Sequence, residues 1–199
     1  MSPRTAEAYR LIKDTRREEI LAAARRVFAR NGLAATRIGD IATEAHISQG
    51  LLYHYFPTKE ALFTAIVEGA LRETAALTFR ARMQDGAAWQ RLQQLCEQLV
   101  SGVLEDPEYP LVIVQAFTSE AVPEQARAAV QRYGQQTLQD IVALIRQGQA
   151  EGRVVVEDPV ELALVFTACI QGVALTRMQG HPREGSLPRA ETILRLLRA

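Results

Sequence analysis

Gln49 and Tyr53 stand four residues apart in HISQGLLYHYFPTK (46–59), with Gly50 and His54 beside them and Leu51 and Tyr55 on the other flank. Residues four apart share one face of a helix. The spacing therefore collects a carboxamide, two phenols and an imidazole on one side. All of these can hydrogen-bond to nucleobase edges or to phosphates. The opposite side reads differently, because Leu52 and Phe56, also four apart, join Ile47 as an apolar stripe. Such a helix packs by one face and offers the other to a DNA groove.

Other chemistry finds no comparable constellation. The three histidines (His46, His54, His181) and two cysteines (Cys96, Cys169) are scattered, and no HExxH, GxSxG, P-loop or GxGxxG pattern occurs. No catalytic residue, metal site or cofactor is expected, and the chain reads as a non-enzyme. Cys96 and Cys169 lie in apolar runs without close-spaced partners, as buried free thiols do. An enzyme without a recognisable motif and a helical interaction module without DNA binding are the rival readings. Only the polar face of the 48–55 segment argues against the second.

The elements that must position this face are short. TRIGDIATEA reads as a helix over 37–45 with Thr36 as its N-cap, and a tight turn leads to a second helix over 48–55. Two short helices at this separation have helix-turn-helix spacing. Ile38, Ile41 and Ala42 of the first would meet Ile47, Leu52 and Phe56 of the second. Pro57 disfavours helical geometry at Phe56 and ends the segment. Thr36 and the free N–H groups of the 37–45 helix would face a phosphate. Lys59 would offer the backbone a flexible cation, and Gly50 would let the helix approach closely.

The rest of the chain is helical in pattern. A first helix opens with Thr15 and Glu18 at capping-box spacing and buries Ile20, Ala24, Val27 and Phe28 before Gly32. Arg4, Arg10, Lys13, Arg16 and Arg17 precede or open it, either as an arm for a minor groove or as a solvated tail. Thr58 caps a long helix carrying Leu62, Phe63, Ile66 and Val67. Further helices are expected at 89–105, 111–121, 124–151, 160–178 and 187–198, about nine in all. VVVED (154–158) could form an isolated strand. The class is all-α. The 199 residues carry no net charge, but residues 1–60 hold ten Lys and Arg against seven Asp and Glu. That bias tolerates an anionic partner at the N-terminal side. The apolar stretch 160–178 is interrupted by Glu161, Thr167, Gln171 and Thr176, so it reads as a packed helix in a cytoplasmic protein with no membrane span.

TRIGDIATEAHISQGLLYHYFPTKEAL (36–62), preceded by ILAAARRVFARNGLAAT, resembles the N-terminal signature of TetR-type (tetracycline-repressor-like) transcriptional regulators. The motif-level likeness covers roughly residues 15–67. The resemblance implies a helix-turn-helix DNA-binding domain over 1–58 and a larger ligand-binding and dimerisation domain over 59–199. It also implies an operator of double-stranded DNA, a homodimer and a small-molecule inducer. Repression relieved by ligand is the family's usual mode, with activation the open alternative. By the same resemblance Thr36, Ser48, Gln49, Gly50, Tyr53, Tyr55 and Lys59 fall on DNA-contacting positions. Three residues depart from the pattern. Arg37 replaces a small hydroxyl residue and adds a possible DNA contact. His46 replaces a turn glycine where positive φ is often required. Leu51 replaces a threonine and exchanges a hydrogen bond for contact with a thymine methyl.

For the C-terminal part, pockets between bundled helices are apolar with a few polar groups. Trp89, Cys96, Phe117, Tyr133, Phe166 and Cys169 are the candidates to line one, for a largely apolar inducer. Helix 160–178 is apolar nearly all round and must be enclosed on more than one side. Phe166, Ala168, Cys169, Gly172 and Val173, with Leu194 and Leu197 from the last helix, are therefore the expected dimer interface.

Overall fold

The computed structural model describes residues 3–106, 108–178 and 187–199, and side chains from Leu11 onward, Met178 excepted. Among the described residues the chain forms nine helices in sequence. They are α1 (Pro3–Ala35), α2 (Ile38–Glu44), α3 (Gln49–Tyr55), α4 (Lys59–Met83), α5 (Ala88–Glu105), α6 (Glu108–Thr118), α7 (Glu124–Ala150), α8 (Pro159–Met178) and α9 (Ala190–Leu194). The all-α expectation holds.

Two apolar cores organise these helices. The first gathers Ile20, Val27 and Phe28 of α1, Ile41 of α2, Leu52 of α3 and Leu62, Phe63 and Ile66 of α4. Phe28 and Phe63 meet edge to face with ring centroids 5.3 Å apart, a favoured aromatic geometry. This core also takes in Val112 and Ala116 of α6 and Ala126 of α7. It therefore continues past residue 58 into the larger part of the chain. The second core packs Leu92, Leu95 and Cys96 of α5 against Ile141, Leu144 and Ile145 of α7, Phe166 and Val173 of α8, and Ile193, Leu194 and Leu197. The most extensive helix–helix contact runs between α4 and α7 and links the two cores.

Several boundaries differ from the sequence expectation. α1 begins at Pro3 and passes through Thr15 without a cap, so the Thr15/Glu18 box does not form. Residues 3–14 are helical backbone, which corrects the expectation of an arm or tail there. Lys13, Arg16 and Arg17 stand exposed on that helix, Arg16 and Arg17 paired locally with Glu19 and Glu18. The final helix, expected over 187–198, is only five residues long. After it the chain turns back and pairs with the VVVED segment, Val154 forming one antiparallel bridge with Arg198. The Val155 N–H donates to the Leu197 carbonyl at 2.9 Å. Val154, fully buried, seats over Gly148 of α7, where a β-carbon would lie only 2.6 Å from its Cγ2. The segment is thus a clip for the C-terminus.

Candidate nucleic-acid interface

α2 and α3 are joined by a four-residue turn whose shape depends on His46. Its φ of 54° is the only positive value at a non-glycine among the described residues. The Ile47 N–H donates to the Ala42 carbonyl at 3.0 Å and the His46 N–H to Thr43 at 3.1 Å, closing α2 over a left-handed residue. Histidine therefore occupies a position for which glycine is the easier choice. α3 then starts at Ser48, whose Oγ accepts from the Leu51 N–H at 3.2 Å. That is an N-cap, and it uses a hydroxyl expected at DNA for the helix end.

The two faces of α3 separate as the spacing requires. Leu52 is fully buried and Phe56 nearly so, while Ile47 packs beside them. Gln49, Gly50, Leu51, Tyr53 and His54 are exposed. Tyr53 is half exposed, a large aromatic surface for a side chain with nothing covering it. Among the described residues the Gln49, Tyr53 and His54 side chains make no hydrogen bond within the chain. Tyr55 is less available, being half-buried against the first core with its ring edge-on to His54 at 5.7 Å. A β-carbon at Gly50 would meet no atom within 4 Å. Internal packing therefore gives no reason for glycine there.

Two expected DNA contacts are placed otherwise. Thr36 is buried, and its hydroxyl donates to the Gly32 carbonyl at 2.6 Å. It does not cap α2; Arg37 occupies that position, exposed, its N–H donating to Asp40 Oδ2 at 3.0 Å. Lys59 is the larger correction. Its ammonium donates to the carbonyls of Leu33, Ala34 and Thr36 at 2.9, 3.1 and 3.0 Å. All three N–H bonds are directed at the end of α1 and the residue that follows it, and none is left for a phosphate.

The bearing of these helices on known proteins is direct. Residues 20–66 match the family model for bacterial regulatory proteins of the tetR family. This chain belongs to the TetR family. It is 31% identical over 103 residues to the HTH-type transcriptional regulator YfiR of Bacillus subtilis (strain 168), covering 52% of this chain and 48% of that protein. It is 46% identical over 59 residues to the HTH-type transcriptional repressor KstR2 of Rhodococcus jostii (strain RHA1), covering 30% of this chain and 29% of the repressor. The chain thus spans half or less of the length of these curated relatives. The crystal structure of AibR in complex with isovaleryl coenzyme A and operator DNA superposes with a TM-score of 0.72. Identity there is 18% over 89% of this chain and 93% of AibR, a likeness of fold.

Sequence reading missed the TetR-family chain's support for α2. Glu44 accepts from Arg26 at 2.7 Å and Arg30 at 2.6 Å, tying the C-terminal end of α2 to α1. Those two hydrogen bonds hold its carboxyl below the ordinary glutamate value, against a smaller opposing effect of burial. A depressed carboxyl stabilises the fold above its unfolded pKa, and the contribution is lost as pH falls through the folded value. Both arginines are substantially exposed, so the effect is small. Glu44→Gln is expected to lower stability by about 0.5 kcal/mol near neutral pH. The difference from the unsubstituted protein should vanish in acid, read from urea denaturation at two pH values.

Of the six inducer-pocket candidates, four gather at the second core and two lie apart from it. Cys96 and Phe166 are buried in the second core, with Trp89 and Cys169 packed at its side. Burial pushes the Cys96 thiol up to about 12, as befits an inert core cysteine. Phe117 is exposed on α6, and Tyr133 lies under the Arg132 guanidinium, 4.4 Å away. None of the six lines either of two described clefts. One, about 470 Å³, opens between Phe79, Arg80 and Met83 of α4 and Arg91, Gln94 and Gln98 of α5. The other, about 500 Å³, lies between α1 and α2.

The dimer candidates divide by face. Phe166, Val173, Leu194 and Leu197 are buried in the chain's own second core, so the expectation of them at a dimer interface is corrected. Cys169 and Gly172 are half-buried and Ala168 is exposed. The apolar residues that α8 leaves uncovered are Val160, Leu164, Val165 and Leu175. By length and composition Pro159–Arg177 could cross a membrane, but its inner face is spent on the second core.

Proposed function

We propose that this TetR-family chain is a transcriptional repressor that binds a near-palindromic operator as a homodimer and is released by a small-molecule inducer. The observation that carries the reading is the outer face of α3. Gln49, Tyr53 and His54 stand exposed without hydrogen-bond partners among the described residues, beside a glycine that internal packing does not require. Arg37 and Leu51 extend this surface, and Ser48, Thr36 and Lys59 build its frame. A carboxamide pairs with adenine through two hydrogen bonds, and Leu51 can meet a thymine methyl. The DNA-binding unit comprises residues 1–58 together with the start of α4. The larger unit supplies the ligand site and the dimer.

KstR2 is a repressor, and AibR binds both isovaleryl coenzyme A and operator DNA. The first supports repression and the second a small-molecule ligand for this chain, which would act in the cytoplasm, where its operator is, and without catalysis. The outward face of α8 supports a two-fold dimer with another copy. Two recognition helices would then read half-sites one DNA turn apart, ~34–36 Å, or a multiple of it.

Gln49→Ala tests the reading. Selection of bound sequences from a randomised duplex library is expected to give a near-palindromic motif. The variant should relax preference at one base position per half-site, at a cost of about 1–3 kcal/mol. An unchanged motif would show that Gln49 is not a reader; no motif from the unsubstituted protein would remove the DNA-binding reading itself.

A further inference from the structure

Gly39 has no backbone reason to be glycine. It lies in the first turn of α2, and its φ is not among the positive values of the chain. Glycine is the poorest helix former after proline, and α2 has only seven residues over which to make up the loss. The space around it gives the reason. A β-carbon at Gly39 would lie 3.0 Å from Gln49 Nε2 and 3.8 Å from Gln49 Cδ, and these are its near neighbours within 4 Å. The first distance is shorter than ordinary van der Waals contact. The terminal amide of Gln49 therefore rests where a side chain on α2 would otherwise be.

We propose that Gly39 determines operator specificity through Gln49: the missing side chain opens a seat on α2 in which the Gln49 carboxamide lies. The proposal rests on the DNA-binding reading of α3. Gln49 is the first residue of α3, is exposed and has no hydrogen-bond partner among the described residues. Its long side chain is held only by the surface it rests on, and that surface is α2 at Gly39. Two hydrogen bonds to one base require the amide nitrogen and oxygen to reach the base edge together. The seat thus sets which edge they reach. Gly39 is a positioning residue, because it acts only through the glutamine.

The consequence separates recognition from folding. The atom that a new side chain would meet is the free end of a flexible, exposed side chain, so it can move at little cost to the fold. Alanine and leucine also favour the helix. Gly39→Ala and Gly39→Leu should therefore melt no lower than the unsubstituted protein, while Leu drives Gln49 into another rotamer. A glycine required only for packing would give the reverse: a lower Tm and an unchanged motif.

The test uses the full chain with five sequences: unsubstituted, Gly39→Ala, Gly39→Leu, Gln49→Ala, and Gly39→Leu combined with Gln49→Ala. Each is melted and used to select from a duplex library with a randomised central segment. Gly39→Leu is expected to change preference at the Gln49 position about tenfold, with Gly39→Ala shifting it in the same direction by less. In the Gln49→Ala background, Gly39→Leu should add nothing. The same motif for Gly39→Leu as for the unsubstituted protein would overturn the proposal and leave DNA binding intact. So would an equal change with and without Gln49, which would place residue 39 in direct contact with DNA. A lower Tm for both single Gly39 variants with no motif change would assign the glycine to packing. No selected motif from the unsubstituted protein would remove the DNA reading and the proposal together.

Discussion

Arginine at Ala168 is expected to turn the protein into a folded monomer. The outward face of α8 carries Val160, Leu164, Val165 and Leu175, each about 40–53% exposed, with Ala168 at its centre. Fully burying one such aliphatic side chain contributes about 1.5–3 kcal/mol. These side chains are already about half-buried, so each has roughly half of that still to contribute, and in a two-fold pairing each appears twice. A substitution at its centre also appears twice, and the two-fold axis brings like charges together without partners. Light scattering should then fall from about twice 22.1 kDa to 22.1 kDa, with helical content unchanged. Operator affinity should fall by about 10²–10⁴, since two linked half-site contacts become one. A mass of 22.1 kDa for the unsubstituted protein at micromolar concentration would defeat the proposal.

Val173→Arg supplies the contrast. Val173 is 1% exposed and belongs to the second core. A charge there meets no partner and costs several kcal/mol, enough to unfold a marginal domain. Loss of the melting transition is expected, not a folded monomer. The two variants lie five residues apart on one helix and should fail in different ways.

That contrast also marks where the sequence was legible. The helix-turn-helix could be read because α3 has two unlike faces: Leu52 and Phe56 fixed the inner one, and Gln49 and Tyr53 followed as the outer. His46 was legible only through the family resemblance, which put it where the turn usually has glycine. α8 gave no such phase. Its residues are apolar around most of the circumference, so periodicity did not distinguish Val173, which packs inward, from Leu164, which does not. The pocket candidates could not be sorted for a related reason, since an aromatic or thiol in an apolar run has the same pattern whether it fills a core or lines a cavity. Gly39 and Glu44 were invisible because their meaning lies in contacts between helices. α1 ran further than expected because its caps were read locally, whereas nothing in residues 3–14 stops a helix.

Lys59→Met is expected to loosen the helix-turn-helix without removing a phosphate contact. The ammonium closes three hydrogen bonds onto the carbonyls of Leu33, Ala34 and Thr36, in the short link that follows the break inside α1 at Gly32, whose φ is 75°. The same short link carries Thr36, whose hydroxyl returns to Gly32. Hydrogen bonds to a charged group contribute about 1.5–3 kcal/mol each where they are dry. Ala34 is exposed and its carbonyl can turn to water. The substitution keeps the apolar stem, so a total loss of about 2–3 kcal/mol is the reasonable scale. Urea denaturation should show this loss as a lower midpoint at an unchanged slope. Operator affinity should drop for all sequences alike, because α2 and α3 lose a fixed orientation to α1 and α4. The salt dependence decides between the two roles open to this lysine. A lysine on a phosphate contributes about one unit to the slope of log K against log salt, and its removal makes that slope shallower by this amount. Lys59→Met should leave the slope unchanged, because the charge is already committed to the protein's own backbone. A slope reduced by about one unit, with stability unaltered, would return Lys59 to the DNA.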